Sequence, residues 1–306
     1  MAPRHIRSLK DFFRSLFSMA VPFWWSLVIK FVRLRYRKGK KDLMRTLCGS
    51  MLAMFLVAST PGLAQQVYHA PKGPDGHPNF NGIWQVLNTS NWDLVEHAAR
   101  PGLVIADGTL SADPGGTGVV EGGEIPYLPA ALEIKKKNFE NRLKLDPEIR
   151  CYLPGVPRAN YMPYPFQIFQ STKALFFAYQ YDGAVRNIFL KDPGPAPADS
   201  WMGQSWAKWE GETLVIDVSG FDERTWLDRA GDFHSDALHV VERYTMIGPD
   251  VMQYEATIED PKVFSKPWKI RMPIYRHVEK GARLMEFKCV EFVEDLLYGD
   301  FAKKPK

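Results

Sequence analysis

Within residues 231–244, GDFHSDALHVVERY, two histidines and a glutamate (His234, His239 and Glu242) fall inside nine positions. Such a group could ligate a metal ion, move protons as general acid and base, or decorate an ordinary strand. Strand alternation separates its members. If 237–247 and 251–260 form a hairpin about Gly248-Pro249-Asp250, Ile247 pairs with Val251, Arg243 faces Glu255 and His239 faces Glu259, all favourable across strands. The other face then carries Leu238, Val240, Glu242, Tyr244 and Met246 against Met252, Tyr254, Ala256 and Ile258. Glu242 becomes a charged group on an apolar face, where it must find donors or take up a proton.

This register sends His239 and Glu242 to opposite faces, which argues against a shared metal ion. A metal site would need His234 from the preceding loop, with Asp228, Asp232 and Asp236 as oxygen donors, and no metal is assigned. For acid/base chemistry the candidate residues are Glu242, His234 and His239. Other site types have no counterpart: the chain lacks a Gly-x-Ser-x-Gly elbow and a phosphate-cradling Gly-x-x-x-x-Gly-Lys, and no cofactor is implied. Aromatic residues could instead line a small-molecule pocket. The segment YMPYPFQIFQ offers Tyr161, Tyr164 and Phe166, SWMGQSWAKW offers Trp206, the hairpin offers Tyr244 and Tyr254, and the charged loop 221–236 offers Trp226 and Asp228.

The elements that must position these residues are mostly strands. From Ala174 onward ALFFAYQY, AVRNIFL, SWAKW, TLVIDVSGF, ALHVVERYTMI, VMQYEATIED, WKIRMPIYR and RLMEFKCVEF alternate, separated mainly by short turns. With GIWQVLNT at 82–89 they predict an all-β, antiparallel up-and-down barrel, whose closure removes exposed edges. One helix, 129–145, precedes most of the strands, with Pro129 in its first turn and Leu132, Phe139 and Leu143 near one face. Residues 98–123 form a long loop with seven glycines, and the proline-rich stretch 150–170 reads as an irregular aromatic crossing.

Charge divides the chain. Residues 1–64 hold twelve Lys/Arg against two acids, so 65–306 carry a net charge of −6 although the whole chain is +4. Nucleic-acid binding therefore loses its main support. MRTLCGSMLAMFLVASTPGLAQQ has a basic start, an apolar run shorter than the roughly 20 residues of a membrane span, and small residues before Gln65. It predicts a signal peptide over 44–64, cleaved after Ala64, and export to the periplasm or beyond. The basic, apolar extension 1–43 reads as sequence upstream of a true start at Met44; the rival is a membrane anchor, and membrane contact is expected only through 1–64. Cys151 and Cys289 remain after cleavage, and an oxidising compartment predicts that they are bridged.

Gly82-Ile83-Trp84 resembles the Gly-x-Trp signature of lipocalin-like barrels. More broadly, HPNFNGIWQ, DPEIRCYLPGVPRANYMPYPFQI, SWMGQSWAKWEGETLVIDVSGF and TWLDRAGDFHSDALHVVERY resemble a widespread family of secreted bacterial proteins without an assigned function. The resemblance implies export and one domain over 65–306, and no catalytic residue. The leading expectation is an exported barrel that binds an apolar or aromatic small molecule. The alternatives are a cofactor-free periplasmic isomerase, lyase or hydrolase using Glu242 with a nearby histidine, and an envelope protein that docks through its aromatic segment.

Overall fold

Alternation of buried and exposed residues along short runs closes nine strands into a barrel, ordered β1-β11-β10-β9-β8-β7-β6-β5-β4 and back to β1. They are β1 (Gly82–Gln85), β4 (Phe166–Gln170), β5 (Leu175–Tyr179), β6 (Val185–Phe189), β7 (Gln204–Glu210), β8 (Thr213–Ser219), β9 (His239–Gly248), β10 (Val251–Glu259) and β11 (Trp268–Arg276). A two-stranded pair, β2 (Arg100–Pro101) with β3 (Ala112–Asp113), stands apart. The computed structural model describes residues 68–102 and 112–301. The predicted signal peptide and the 1–43 extension lie outside the described residues.

The barrel has the predicted number of strands, but their membership differs. Phe166–Gln170, expected to be irregular, is a strand between β1 and β5. RLMEFKCVEF forms no strand and runs unpaired into a short helix, α2 (Val293–Tyr298). The four prolines of 150–170 all precede Phe166, so from there every residue can donate to the ladder.

The all-antiparallel order also needs correction, because β6 and β7 pair in parallel through Ile188–Ser205 and Phe189–Trp206. The intervening residues 190–203 include Pro193, Pro195 and Pro197, which resist a tight hairpin, and they are long enough for the crossover that parallel strands require.

The β9–β10 hairpin keeps the predicted pairs Arg243–Glu255 and His239–Glu259. Its turn is tighter than expected. Gly248 pairs with Val251, and a register shift between Val251 and Met252 absorbs the extra residue, Ile247, which is exposed.

Inside the barrel, Trp84, Phe166, Phe177, Ile216, Val240, Tyr244, Tyr254 and Ile270 form the core, all fully buried. Gly82 has φ +147, and a Cβ there would collide with the Arg276 guanidinium, which stacks 4.2 Å from the Trp84 ring. Trp84 Nε1 donates to the Phe80 carbonyl at 2.9 Å. The Gly-x-Trp pattern is therefore a packing solution at the seam of β1, β4 and β11.

Helix α1 (Pro129–Leu145) lies on the surface with Ala131 as its one buried residue, and Leu132 is exposed. Phe139 is covered by cations, with Arg100, Lys135 and Arg142 over its ring at 5.0, 5.4 and 4.5 Å. The bridge between Cys151 and Cys289 is formed, and it holds the unpaired C-terminal segment. Phe287 of that segment packs on Tyr164 and Tyr181 at 4.8 and 5.2 Å, and Phe292 N donates to the Ile149 carbonyl at 2.9 Å. Among the described residues no helix is long and apolar enough to cross a membrane.

Candidate functional site

Alternation along β9 places Glu242 inside the barrel, fully buried. One carboxylate oxygen, Oε1, accepts from Asn160 Nδ2 at 2.6 Å, Tyr254 OH at 2.8 Å and Tyr244 OH at 2.9 Å. The other, Oε2, accepts from Arg186 Nη2 on β6. Arg186 Nε donates to Ser205 Oγ at 2.7 Å, and its guanidinium lies 5.8 Å from the Phe177 ring. Tyr179 OH donates to Asn160 Oδ1 at 2.9 Å, which joins five strands and the turn at 158–160 in one polar network.

Burial pushes the phenols of Tyr179, Tyr244 and Tyr254 above their ordinary range, and the Glu242 charge reinforces this, so all three stay protonated donors. Desolvation acts to lower Arg186, but Glu242 and the neighbouring tyrosines outweigh it and raise it, so the guanidinium is permanently charged. Its Nη1, also buried, meets no acceptor among the described residues.

The structure thus joins Glu242, Tyr244 and Tyr254, with Phe166 nearby, 5.5 Å from the Tyr179 ring and 5.8 Å from Phe177. It does not bring in the histidines. His239 is on the outer face, bonded to Asp217 Oδ2 at 3.0 Å and 3.9 Å from Glu259. His234 is buried elsewhere: its Nε2 bonds Thr225 Oγ1, its Nδ1 bonds the Ser235 carbonyl at 2.8 Å, and its ring meets Phe221 edge-on. Burial lowers its proton affinity, which keeps the ring neutral. Neither histidine is hydrogen-bonded to Glu242.

The remaining aromatic candidates scatter. Tyr161 is buried with its hydroxyl on the Leu227 carbonyl at 2.7 Å, and Tyr164 is taken up by the C-terminal segment. Trp206 lies on the opposite strand face from the inward Ser205 and Ala207, and Trp226 is buried in its loop, bridged through its backbone to Phe233. Asp228 belongs to a separate acidic cluster.

Arg186, Ser205, Asn160 and Tyr179 are site residues that the sequence reasoning missed. Arg186 had a signal, since Ala184, Arg186 and Ile188 alternate as an inward set, the same pattern that exposed Glu242. Asn160 had none, because it comes from the short turn Arg158–Asn160 in the proline-rich crossing. That turn splits its polar residues: Asn160 enters the barrel, while Arg158 pairs outside it with Asp146 at 2.9 Å and Glu148 at 2.6 Å. Glu148 also takes Arg229 at 2.8 and 2.9 Å.

Chemically, a carboxylate whose oxygens accept from four donors is poorly placed to abstract a proton, whereas a buried cationic donor with a free N–H can hold an acceptor group. No family model, no curated protein and no solved structure matches the chain.

Proposed function

We propose that the protein is an exported β-barrel that binds a small molecule with an apolar or aromatic body and a hydrogen-bond-accepting end. The observation that carries this reading is Arg186 Nη1, a buried charged donor without an acceptor among the described residues, in a barrel interior of mostly apolar and aromatic side chains. Small-molecule sites combine such apolar walls with a few fixed polar groups. The ligand's acceptor end takes Nη1, and its body replaces part of the packing of Phe166, Phe177 and Tyr179, which must change rotamer to admit it. Glu242 holds the guanidinium in place rather than reacting. Export is supported by the signal-like segment 44–64, by the resemblance to secreted bacterial proteins, and by the Cys151–Cys289 bridge, a bond favoured in oxidising compartments.

Protein purified from the envelope of its own host should release, on denaturation, a stoichiometric compound with an acceptor group, identifiable by mass spectrometry. Re-addition of that compound should change the intrinsic tryptophan and tyrosine fluorescence without product formation. Release of no compound, or conversion of the compound to a product, would overturn the reading.

A further inference from the structure

Another buried polar cluster joins the 221–236 loop to Asp93, apart from the Glu242 network. Asp93, Asp228 and Asp232 each bring a carboxylate oxygen within 4.8 Å of the others, and all three are buried. Asp228 is fixed by backbone amides: its Oδ2 accepts from Leu94 N at 2.9 Å, and its Oδ1 accepts from Ala230 N at 2.9 Å and Asp232 N at 3.1 Å. Asp232 Oδ1 takes the Tyr127 hydroxyl at 2.7 Å and lies 3.6 Å from Lys135 Nζ of α1. Its other oxygen, Oδ2, is buried and meets no donor among the described residues.

Charge does not balance there. Arg100 serves two carboxylates, Asp93 at 2.9 Å and Asp113 at 3.3 Å, Lys135 serves Asp232, and no cation lies within 4.0 Å of Asp228 among the described residues. Buried carboxylates in mutual contact are strongly unfavourable unless something positive joins them.

We propose that Asp93, Asp228 and Asp232 form a binding site for one hard divalent cation of the calcium class, with Asp232 Oδ2 as the ligand atom left unmatched by protein. An all-oxygen donor set favours calcium over transition metals, which prefer nitrogen or sulfur ligands. His234 takes no part, since both its ring nitrogens are engaged elsewhere, and Asp236 is bonded to Lys262 at 2.5 Å. Asp93 also lines a cavity of about 230 Å³ with Asn88, Thr89 and Ser90, whose buried Oγ is likewise without a partner among the described residues. The bound ion would tie the loop to α1 and to the segment at Asp93, a stabilising role.

The test uses the full chain and calcium alone. After treatment with EDTA and desalting, equilibrium dialysis should show uptake of one Ca²⁺ per chain at millimolar or lower concentration, and saturating Ca²⁺ should raise Tm by several degrees. Asp232→Asn should weaken Ca²⁺ binding at least tenfold. In EDTA that variant should match or exceed the wild-type Tm, and in saturating Ca²⁺ it should fall below it. No uptake by the wild-type chain, with a Tm indifferent to Ca²⁺ and EDTA, overturns the proposal, and so does higher stability of Asp232→Asn under both conditions, the result expected if Asp228 and Asp232 simply share a proton. The wild-type measurement decides the matter even if the variant does not fold.

Discussion

Glu242 in the barrel and Asp232 in the 221–236 loop are both buried carboxylates, yet Glu242 accepts from four donors, one of them a guanidinium, while Asp232 leaves one oxygen unmet among the described residues. In the barrel the unmatched atom is instead a donor, Arg186 Nη1. Burial alone therefore does not mark a functional group. The sign of the mismatch does: surplus donor capacity suits an acceptor on a ligand, and surplus carboxylate suits a cation.

The largest effect should come from breaking the matched pair. Arg186→Met leaves Glu242 buried without its cation and should cost about 3–5 kcal/mol in urea unfolding. The double change Arg186→Met with Glu242→Met should recover most of that loss, because the desolvation cost disappears with the charges. A double variant no more stable than Arg186→Met would show that the pair is not acting as a unit.

Acid titration separates the two kinds of cluster by the direction of its effect. Burial would raise Glu148, but Arg229 and Arg158 outweigh it and hold it down to about 2, against 4.5 ordinarily. Its folded value lies below its unfolded one, so its contribution is full above about pH 4.5 and is lost as pH falls toward 2. Asp228 is shifted the other way by burial, Asp232 and Asp93, so in EDTA its contribution is lost as pH rises from 3.8 through its raised folded value. Urea unfolding across pH should show the first slope disappear in Glu148→Gln and the second in Asp228→Asn. Persistence of both slopes in both variants would contradict the assignment.

His234 should give the smallest effect. Burial holds its folded value below the ordinary 6.5, so stability should decline as pH falls below 6.5. His234→Gln should remove that decline with no effect on ligand binding in the barrel. A loss of binding would return His234 to the site.

How much of this was legible follows from which signals were local. Glu242, Tyr244 and Tyr254 could be read from alternation in a hairpin whose cross-strand charges fixed its register. Arg186 obeyed the same rule on β6, but its strand is short and its outward residues Val185 and Phe189 are apolar and exposed, which hid the inward set. Asn160 and Leu94, the distant partner of Asp228, come from irregular segments far from the groups they bond, where no periodicity exists to read. The same distance hid the roles of α1 and the C-terminal segment. Lys135 reaches Asp232 from a helix with little apolar face, and RLMEFKCVEF alternates like a strand but is held by Cys151–Cys289 and aromatic packing rather than by a ladder.

The most direct test of the central claim compares wild-type protein with Arg186→Lys, both purified from the native envelope and analysed by mass spectrometry of the denatured extract. Lysine keeps a positive charge for Glu242 but removes the second guanidinium nitrogen. The account predicts a stoichiometric acceptor-bearing compound in the wild type and its loss, by at least tenfold, from a folded Arg186→Lys protein. An equal amount of the same compound in both proteins, or none in the wild type, would contradict it.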